Sequence, residues 1–193
     1  MNKSKLMKRG IRRQFGWIGR VSSPGWLWLA LALPSFAQIV QDGTLSSPSS
    51  VTVNGTQFVI TGGTQAGGNL FHSFRDFSVP AGQTASFQNI DPGIRHIISR
   101  ITGSSISRIN GAIEALQTGG AVSPADFFLI NPNGVIFGRN ASLRLGGSFL
   151  ATTGDRLTFA DGFQFRADGR QTAPLLSVSV PTGIQLSPAA GPI

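Results

Sequence analysis

Histidines and carboxylates are the side chains of this sequence best suited to metal binding or acid–base catalysis. The 193 residues include two histidines, His72 and His96, eight acidic residues and no cysteine. A zinc site typically needs three or four nitrogen, sulfur or carboxylate ligands at characteristic spacings. Neither histidine has carboxylates at such a spacing. We therefore interpret both histidines as structural residues and predict no metal site.

The acidic residues are also poorly placed for catalysis. Asp42, Asp161 and Asp168 each precede a glycine, which is typical of turns. Polysaccharide-active enzymes that are built as β-helices use clustered carboxylates. No two carboxylates here are spaced so that adjacent strands would bring them together. The sequence predicts neither an enzyme nor a cofactor, and a β-helical polysaccharide-active enzyme is a less favoured alternative.

The positive charge is concentrated in the first 37 residues. The whole chain has a formal net charge of +8, from 16 basic and eight acidic residues. Residues 38–193 hold nine arginines, eight acidic residues and no lysine, which leaves a net charge of +1. A nucleic-acid groove needs clustered basic residues, so we predict no nucleic-acid partner. The leader's seven basic residues are Lys3, Lys5, Lys8, Arg9, Arg12, Arg13 and Arg20.

This leader has the three parts of a secretory signal peptide. A basic region over residues 1–20 precedes an apolar run over residues 25–33. Small residues then precede a cleavage site that we predict between Ala37 and Gln38. The apolar run is far shorter than the roughly 20 residues that span a bilayer. We expect residues 1–37 to be a signal peptide cleaved after passage through the Sec translocon, and residues 38–193 to form one domain.

The remaining chain alternates short apolar segments with turn residues. Val51 to Val53 precedes Asn54-Gly55, and similar turns follow most apolar segments. Such short segments with dense turns predict an all-β fold. The pattern alone is compatible with a sandwich or barrel, and equally with a parallel β-helix. No clean internal repeat is visible, so a β-helix would need irregular coils.

One turn lies between two strongly apolar segments. Pro132 sets φ at the second turn position, Asn133 tolerates the third and Gly134 closes the turn that begins at Asn131. We expect this turn to join two buried strands, before and after it. The tetrapeptide alone is an ordinary turn signal.

Several sequence blocks, taken in order, carry a family resemblance. The blocks are residues 62–64 (GGT), 69–74 (NLFHSF), 77–80 (FSVP), 99–103 (SRITG), 109–111 (ING), 129–138 (LINPNGVIFG), 146–149 (GGSF) and 161–162 (DG). Through these blocks the chain resembles, from about Gln38 to Pro181, the two-partner secretion domain, or haemagglutination-activity domain, of filamentous haemagglutinin-like exoproteins. The blocks are most similar to those of cyanobacterial versions.

The resemblance implies a right-handed parallel β-helix with an N-terminal cap. It also implies the N-terminal secretion module of an adhesin, which reaches the cell surface or medium through the periplasm and outer membrane of a Gram-negative-type bacterium. The implied partner is a dedicated outer-membrane β-barrel with periplasmic POTRA modules. Downstream repeats would contact receptors on host or neighbouring cells. A toxin-delivery exoprotein, which shares this module, is the alternative.

The resemblance also assigns a motif. The family's Asn-Pro-Asn secretion motif falls on Asn131, Pro132, Asn133 and Gly134. A second family motif, Asn-Pro-Asn-Leu, is expected upstream, but residues 88–93 (QNIDPG) occupy its approximate place. Residues 174–186 are typical of the middle of a further coil. We therefore expect the domain to be truncated at its C-terminal end.

Overall fold

The structure is a computed structural model that describes residues 39–170 and 177–193. The predicted signal peptide and its cleavage site, Ala37 and Gln38, lie outside these ranges. Every regular element within the described ranges is a β-strand, so the predicted all-β class is confirmed. None of the described residues forms a helix with the length and hydropathy that a bilayer-spanning segment requires.

The strands of the described residues number sixteen. They are β1 (Val40–Gln41), β2 (Ser49–Asn54), β3 (Gln57–Gly62), β4 (Thr64–Ala66), β5 (Asn69–Asp76), β6 (Thr84–Ile90), β7 (His96–Ile101), β8 (Ser107–Ile109), β9 (Ala112–Gln117), β10 (Asp126–Ile130), β11 (Val135–Phe137), β12 (Ser142–Arg144), β13 (Phe149–Thr152), β14 (Arg156–Phe159), β15 (Gln164–Arg166) and β16 (Pro181–Gln185).

Parallel pairing between successive coils builds a β-helix of about three turns. Sheet A has the strand order β1-β5-β7-β10-β13, with β4 also paired to β5, and sheet B has the order β12-β9-β6-β3-β2. Sheet C consists of β8 and β11. Strands β5, β7, β10 and β13 pair in parallel, as do β3, β6, β9 and β12. The sequence pattern allowed a sandwich or barrel and, equally, a parallel β-helix. The structure confirms the parallel β-helix.

Side chains alternate between the interior of the β-helix and its outer surface. Leu70, Ile97 and Phe127 are successive register partners in sheet A, and all three belong to the central core. Their neighbours Phe71 and Ile98 are also fully buried but belong to a second cluster outside the coils. Sheet A therefore contributes apolar side chains to a core on each of its faces, as expected for a parallel sheet that is covered on both sides.

Antiparallel strands cover the N-terminal end of the β-helix. Strand β1 pairs with β5, and β2 pairs with β3 through a hairpin whose two loop residues are Gly55 and Thr56. Gly55 has a φ of +57°, which a two-residue hairpin loop of this kind favours. These strands occupy edges that the first coil would otherwise leave unpaired. They therefore form the expected N-terminal cap.

A second antiparallel sheet packs on the outer face of sheet A. Strand β14 pairs with both β15 and β16, and Leu157, Phe159 and Phe165 join the second apolar cluster. Residues 174–176 lie outside the described ranges. For residues 177–186, the expectation that they form the middle of a further coil is wrong. Pro181–Gln185 pairs antiparallel with β14 instead. An edge strand and a strand within a coil have the same alternation of apolar residues, so the sequence of β16 does not distinguish them.

The far end of the stack leaves interior positions uncovered. Phe137 and Leu143 are register partners of Ile109 and Ile113, which are fully buried in the preceding coil. Phe137 is nevertheless 40% exposed and Leu143 46% exposed. The two ends of the described β-helix therefore differ, because antiparallel strands cover only the first.

Candidate functional site

The predicted turn at residues 131–134, hereafter the motif turn, joins β10 to β11. The Gly134 amide donates to the Asn131 carbonyl over 3.1 Å, and the Asn133 amide donates to Asn131 Oδ1 over 3.0 Å. The second bond is an Asx-type contact, in which a side chain reproduces a backbone turn. The predicted placement between two strands is confirmed, but of β11 only Val135 is buried, so the second strand is not the buried strand that was expected.

The Asn131 side chain faces the interior and has no exposed surface. Its Nδ2 donates to the Ser105 carbonyl and to Ser107 Oγ, each over 2.9 Å. Ser107 belongs to β8, which lies directly beneath β11 in the preceding coil. The side-chain amide of Asn131 therefore attaches the motif turn to the coil below. Its Nδ2 donates two hydrogen bonds, and its Oδ1 accepts two from Asn133.

Asn133 makes a parallel connection to the same coil. Its Nδ2 donates to the Gly103 carbonyl over 2.8 Å and to Asn131 Oδ1 over 3.0 Å. Pro132 and Asn133 remain half-buried, whereas Asn131 and Gly134 are buried. The motif turn consequently presents mainly backbone and the proline ring outward, while its two amide side chains hold consecutive coils in register.

A groove of about 370 Å³ lies beside the motif turn. It runs between Thr102 and Pro132 on the β-helix and Asp155, Arg166 and Asp168 on the outer sheet. The Arg166–Asp168 ion pair spans 2.7 Å, and its hydrogen bond is the main reason that the pKa of Asp168 is lowered. Two of the three charged side chains in the groove therefore neutralise each other.

Arg100, in the SRITG block, carries a buried charge whose role the sequence alone does not indicate. It is fully buried and its guanidinium lies 4.3 Å from the ring centroid of Phe165. Its nitrogens donate to Ser73 Oγ over 2.8 Å, to the Arg166 carbonyl over 2.6 Å and to Thr44 Oγ1 over 2.9 Å. Burial lowers its pKa to about 10, although Asp42 and Asp168 oppose that effect.

Asp42 is the carboxylate of the same cluster. Burial alone would raise its pKa, but hydrogen bonds from Thr102, Thr44 and Ser73 outweigh burial, so the pKa is lowered. The carboxylate is therefore ionised at neutral pH. Together, Asp42 and Arg100 connect the N-terminal segment, sheet A and the outer sheet.

His72 lies in the interior of the β-helix. Its Nδ1 lies 2.9 Å from Ser49 Oγ of the N-terminal cap, and its ring lies 5.0 Å from that of Phe87. Burial lowers its pKa from 6.5 to about 3. A neutral imidazole bonded to one serine and enclosed by phenylalanines is consistent with a structural role.

This burial predicts that stability decreases in acid. Because the folded-state pKa is lowered, the unfolded chain binds more protons below pH 6.5, so stability is lost as the pH falls toward 3. We expect the free energy of unfolding to decrease by about 2 kcal/mol between pH 7 and pH 5. Urea unfolding at several pH values measures this. His72→Gln should remove most of the slope and His96→Gln little; equal slopes in both variants would contradict the assignment.

His96 faces the outer surface of sheet A. Its Nδ1 lies 2.8 Å from Asn69 Oδ1, and Asn69 Nδ2 donates to the carbonyls of Ser177 and Ser179. Burial lowers the pKa of His96, with Asp126 opposing. The two histidines point to opposite faces of one sheet. No group of three or more histidine, cysteine, aspartate or glutamate side chains that could hold a metal occurs in the described part of the chain.

Residues 88–93, which stand where the second family motif was expected, contain a similar turn. The Gly93 amide donates to Asp91 Oδ1 over 2.7 Å, and the Ile94 amide donates to the Asp91 carbonyl over 3.0 Å. Asp91 thus makes the same two local bonds as Asn131. The turn lies between β6 and β7, at a different corner of the coil from the motif turn.

These features define a capped parallel β-helix whose conspicuous polar residues hold its coils together. A comparison with protein families matches residues 37–193 to the TPS secretion domain, where TPS denotes two-partner secretion. The chain belongs to this family. A search of curated proteins gave no significant match.

Family membership fixes the coarse function. The chain is a secretion module of a two-partner secretion exoprotein, which is exported through the outer membrane with a transporter as its partner. The family points to a secreted exoprotein rather than an enzyme. Within this framework, the motif turn is the candidate functional site.

Proposed function

We propose that this chain is the N-terminal secretion module of a haemagglutinin-like adhesin of cyanobacterial type. It addresses the exoprotein to a dedicated outer-membrane β-barrel with POTRA modules, after passage through the Sec translocon and removal of residues 1–37. The observation that carries the proposal is the family match across residues 37–193, which includes all the described coils and the motif turn. The adhesive part would lie in downstream repeats that bring the exoprotein to the cell surface.

The parallel β-helix suggests how secretion and folding are linked. A strand of an incompletely folded chain can add to an exposed sheet edge in a POTRA module. Outside the cell, each completed coil offers an edge that templates the next coil. The side chains of Asn131 and Asn133 support this step, because they bond a new turn to the coil beneath it.

Secretion with and without the barrel tests this proposal. Residues 1–193 are co-expressed in a Gram-negative host with the barrel encoded nearest to the chain, and the medium and periplasm are assayed. We expect release into the medium only with the barrel, and several-fold weaker release for Asn131→Ala. Asn131→Ala should be released less because its motif turn lacks the hydrogen bonds to Ser105 and Ser107 of the coil below.

The matched control is Asn140→Ala. Asn140 is exposed and makes only long hydrogen bonds, of 3.2 and 3.3 Å, to Asn110. It should therefore be released like the unmodified chain. Retention of all variants in the periplasm, despite a barrel that exports another substrate, would argue against the proposal.

A further inference from the structure

Three asparagines of this chain directly precede a glycine: Asn54, Asn110 and Asn133. In such a pair, the glycine amide nitrogen can attack the asparagine side-chain carbonyl, because glycine has no Cβ atom to block the approach. Closure of the resulting five-membered ring requires that the asparagine side chain and the following amide both move freely. The folded structure therefore decides which of the three pairs can react.

Asn54 and Gly55 are free to move in this way. Both are exposed at the tip of the hairpin between β2 and β3. A Cβ atom at Gly55 would meet nothing within 4 Å, so the space beside the loop is open. No described residue hydrogen-bonds to the Asn54 side chain or to the Gly55 amide. The loop is held instead at Thr56, whose carbonyl accepts from the Thr84 amide over 3.0 Å.

Asn133 is held at both of its reacting groups. Its Nδ2 donates to the Gly103 carbonyl over 2.8 Å and to Asn131 Oδ1 over 3.0 Å. The attacking group would be the amide of the buried Gly134, which donates to the Asn131 carbonyl over 3.1 Å. Ring closure here would break these three hydrogen bonds of the motif turn.

Asn110 is held mainly by packing. Its Oδ1 accepts from the Asn140 backbone amide and from Asn140 Nδ2, over 3.2 and 3.3 Å. A Cβ atom at Gly138 would overlap that oxygen. Gly111 is buried, and a Cβ atom there would overlap the Gln83 carbonyl. The pair therefore lacks the room that ring closure requires.

We infer that Asn54 is a self-modification site, at which the folded domain converts asparagine into aspartate and isoaspartate without an enzyme. The Gly55 nitrogen bonds to Asn54 Cγ, the bond from Cγ to the side-chain nitrogen breaks, and ammonia leaves with the proton of the Gly55 amide. Water then opens the cyclic imide. Attack of water at Cγ gives aspartate, whereas attack at the backbone carbonyl carbon gives isoaspartate, whose main chain continues through the side chain.

Either product changes the N-terminal cap. A new carboxylate takes residues 38–193 from a net charge of +1 to zero, because nine arginines are then balanced by nine acidic groups. Isoaspartate also adds one methylene to the backbone at the end of β2, where Asn54 is the register partner of Gln57. The conversion therefore marks the age of the folded domain and alters its first hairpin.

Incubation of the purified chain at mildly alkaline pH in water enriched in heavy oxygen tests the inference. Each conversion incorporates one solvent oxygen, which trypsin digestion and fragmentation mass spectrometry locate. Asn54 lies in the peptide that ends at Arg75, whereas Asn110 and Asn133 share the peptide that ends at Arg139. In the folded chain we expect Asn54 to react roughly tenfold faster than the other two, because protected sites react only in their open fraction. In urea, all three should react at similar rates.

Asn54→Gln is the matched variant, because ring closure through the longer side chain is much slower. Ion-exchange chromatography should show an acidic form that accumulates in the unmodified chain and is lost in Asn54→Gln. Asn140→Gln is the control, since Asn140 is exposed but precedes an alanine, whose Cβ atom hinders the attack. It should leave the acidic form unchanged.

Conversion of Asn110 or Asn133 as fast as that of Asn54 in the folded chain would overturn the inference. So would an acidic form that persists in Asn54→Gln, or no heavy oxygen at Asn54 after the unfolded chain has fully reacted. The same preference for Asn54 in urea would assign the selectivity to the sequence rather than to the fold, and would overturn it too.

Discussion

Replacement of Arg100 by methionine is expected to lower the free energy of unfolding by about 4 kcal/mol. Methionine fills a similar volume but removes the donors to Ser73, Thr44 and the Arg166 carbonyl. It also removes a buried cation that interacts electrostatically with the partly buried Asp42 carboxylate. Urea unfolding of the purified chain, followed by circular dichroism, measures the loss.

Arg108→Met provides the control for this prediction. Arg108 lies on β8, is exposed and should change the free energy of unfolding by less than about 0.5 kcal/mol. Hydrogen exchange adds a specific readout, because Arg100 contacts both the N-terminal segment and the outer sheet. Amides near Thr44 and near Phe165 should therefore exchange faster together in Arg100→Met. A loss below 1 kcal/mol, or faster exchange in only one of these segments, would contradict the role assigned to Arg100.

Asn131→Ala should have the second largest effect, a loss of about 3 kcal/mol. Alanine removes four hydrogen bonds, leaves the buried Ser107 Oγ without the Asn131 donor and takes the same donor from the half-buried Ser105 carbonyl. Each such group costs about 1–3 kcal/mol when it is left unsatisfied. Urea unfolding again provides the measurement.

Asn131→Asp separates the two roles of the amide. Aspartate keeps the acceptor that receives the Asn133 amide, but it replaces the donor to the Ser105 carbonyl with a second acceptor. We expect it to be at least as destabilising as alanine, while Asn140→Ala stays within about 0.5 kcal/mol of the unmodified chain. A stability like that of the unmodified chain for Asn131→Asp would show that the bonds to the preceding coil do not matter.

The local elements of this fold were predictable because their signals are local. The chain turns at Gly55, next to Asn54, as the sequence indicates, and the motif turn joins two strands as its flanking apolar segments predict. The choice between a sandwich and a β-helix was not predictable from pattern. Short parallel and antiparallel strands have the same alternation, and Leu70, Ile97, Phe127 and Phe149 stack at unequal sequence intervals that hide the coil repeat.

Long-range contacts explain what sequence analysis missed. Arg100 follows a serine in an apolar strand, and nothing nearby indicates that it meets Thr44 and Phe165. The antiparallel pairing of β16 was mistaken for a further coil, because an edge strand and a coil strand share one apolar pattern. The sequence also does not indicate that the Asn131 side chain of the predicted secretion motif lies inside the domain, because its partners Ser105 and Ser107 come from the preceding coil.

We propose that residues 1–193 direct export through one dedicated barrel. To test this, residues 1–193 are fused to a passenger that otherwise stays in the periplasm. Release of the passenger is assayed with the barrel encoded nearest to the chain, with an unrelated barrel of the same class, and with none. We expect passenger in the medium only with the first barrel. Equal release without any barrel, or retention in the periplasm while that barrel is present and active on another substrate, would contradict it.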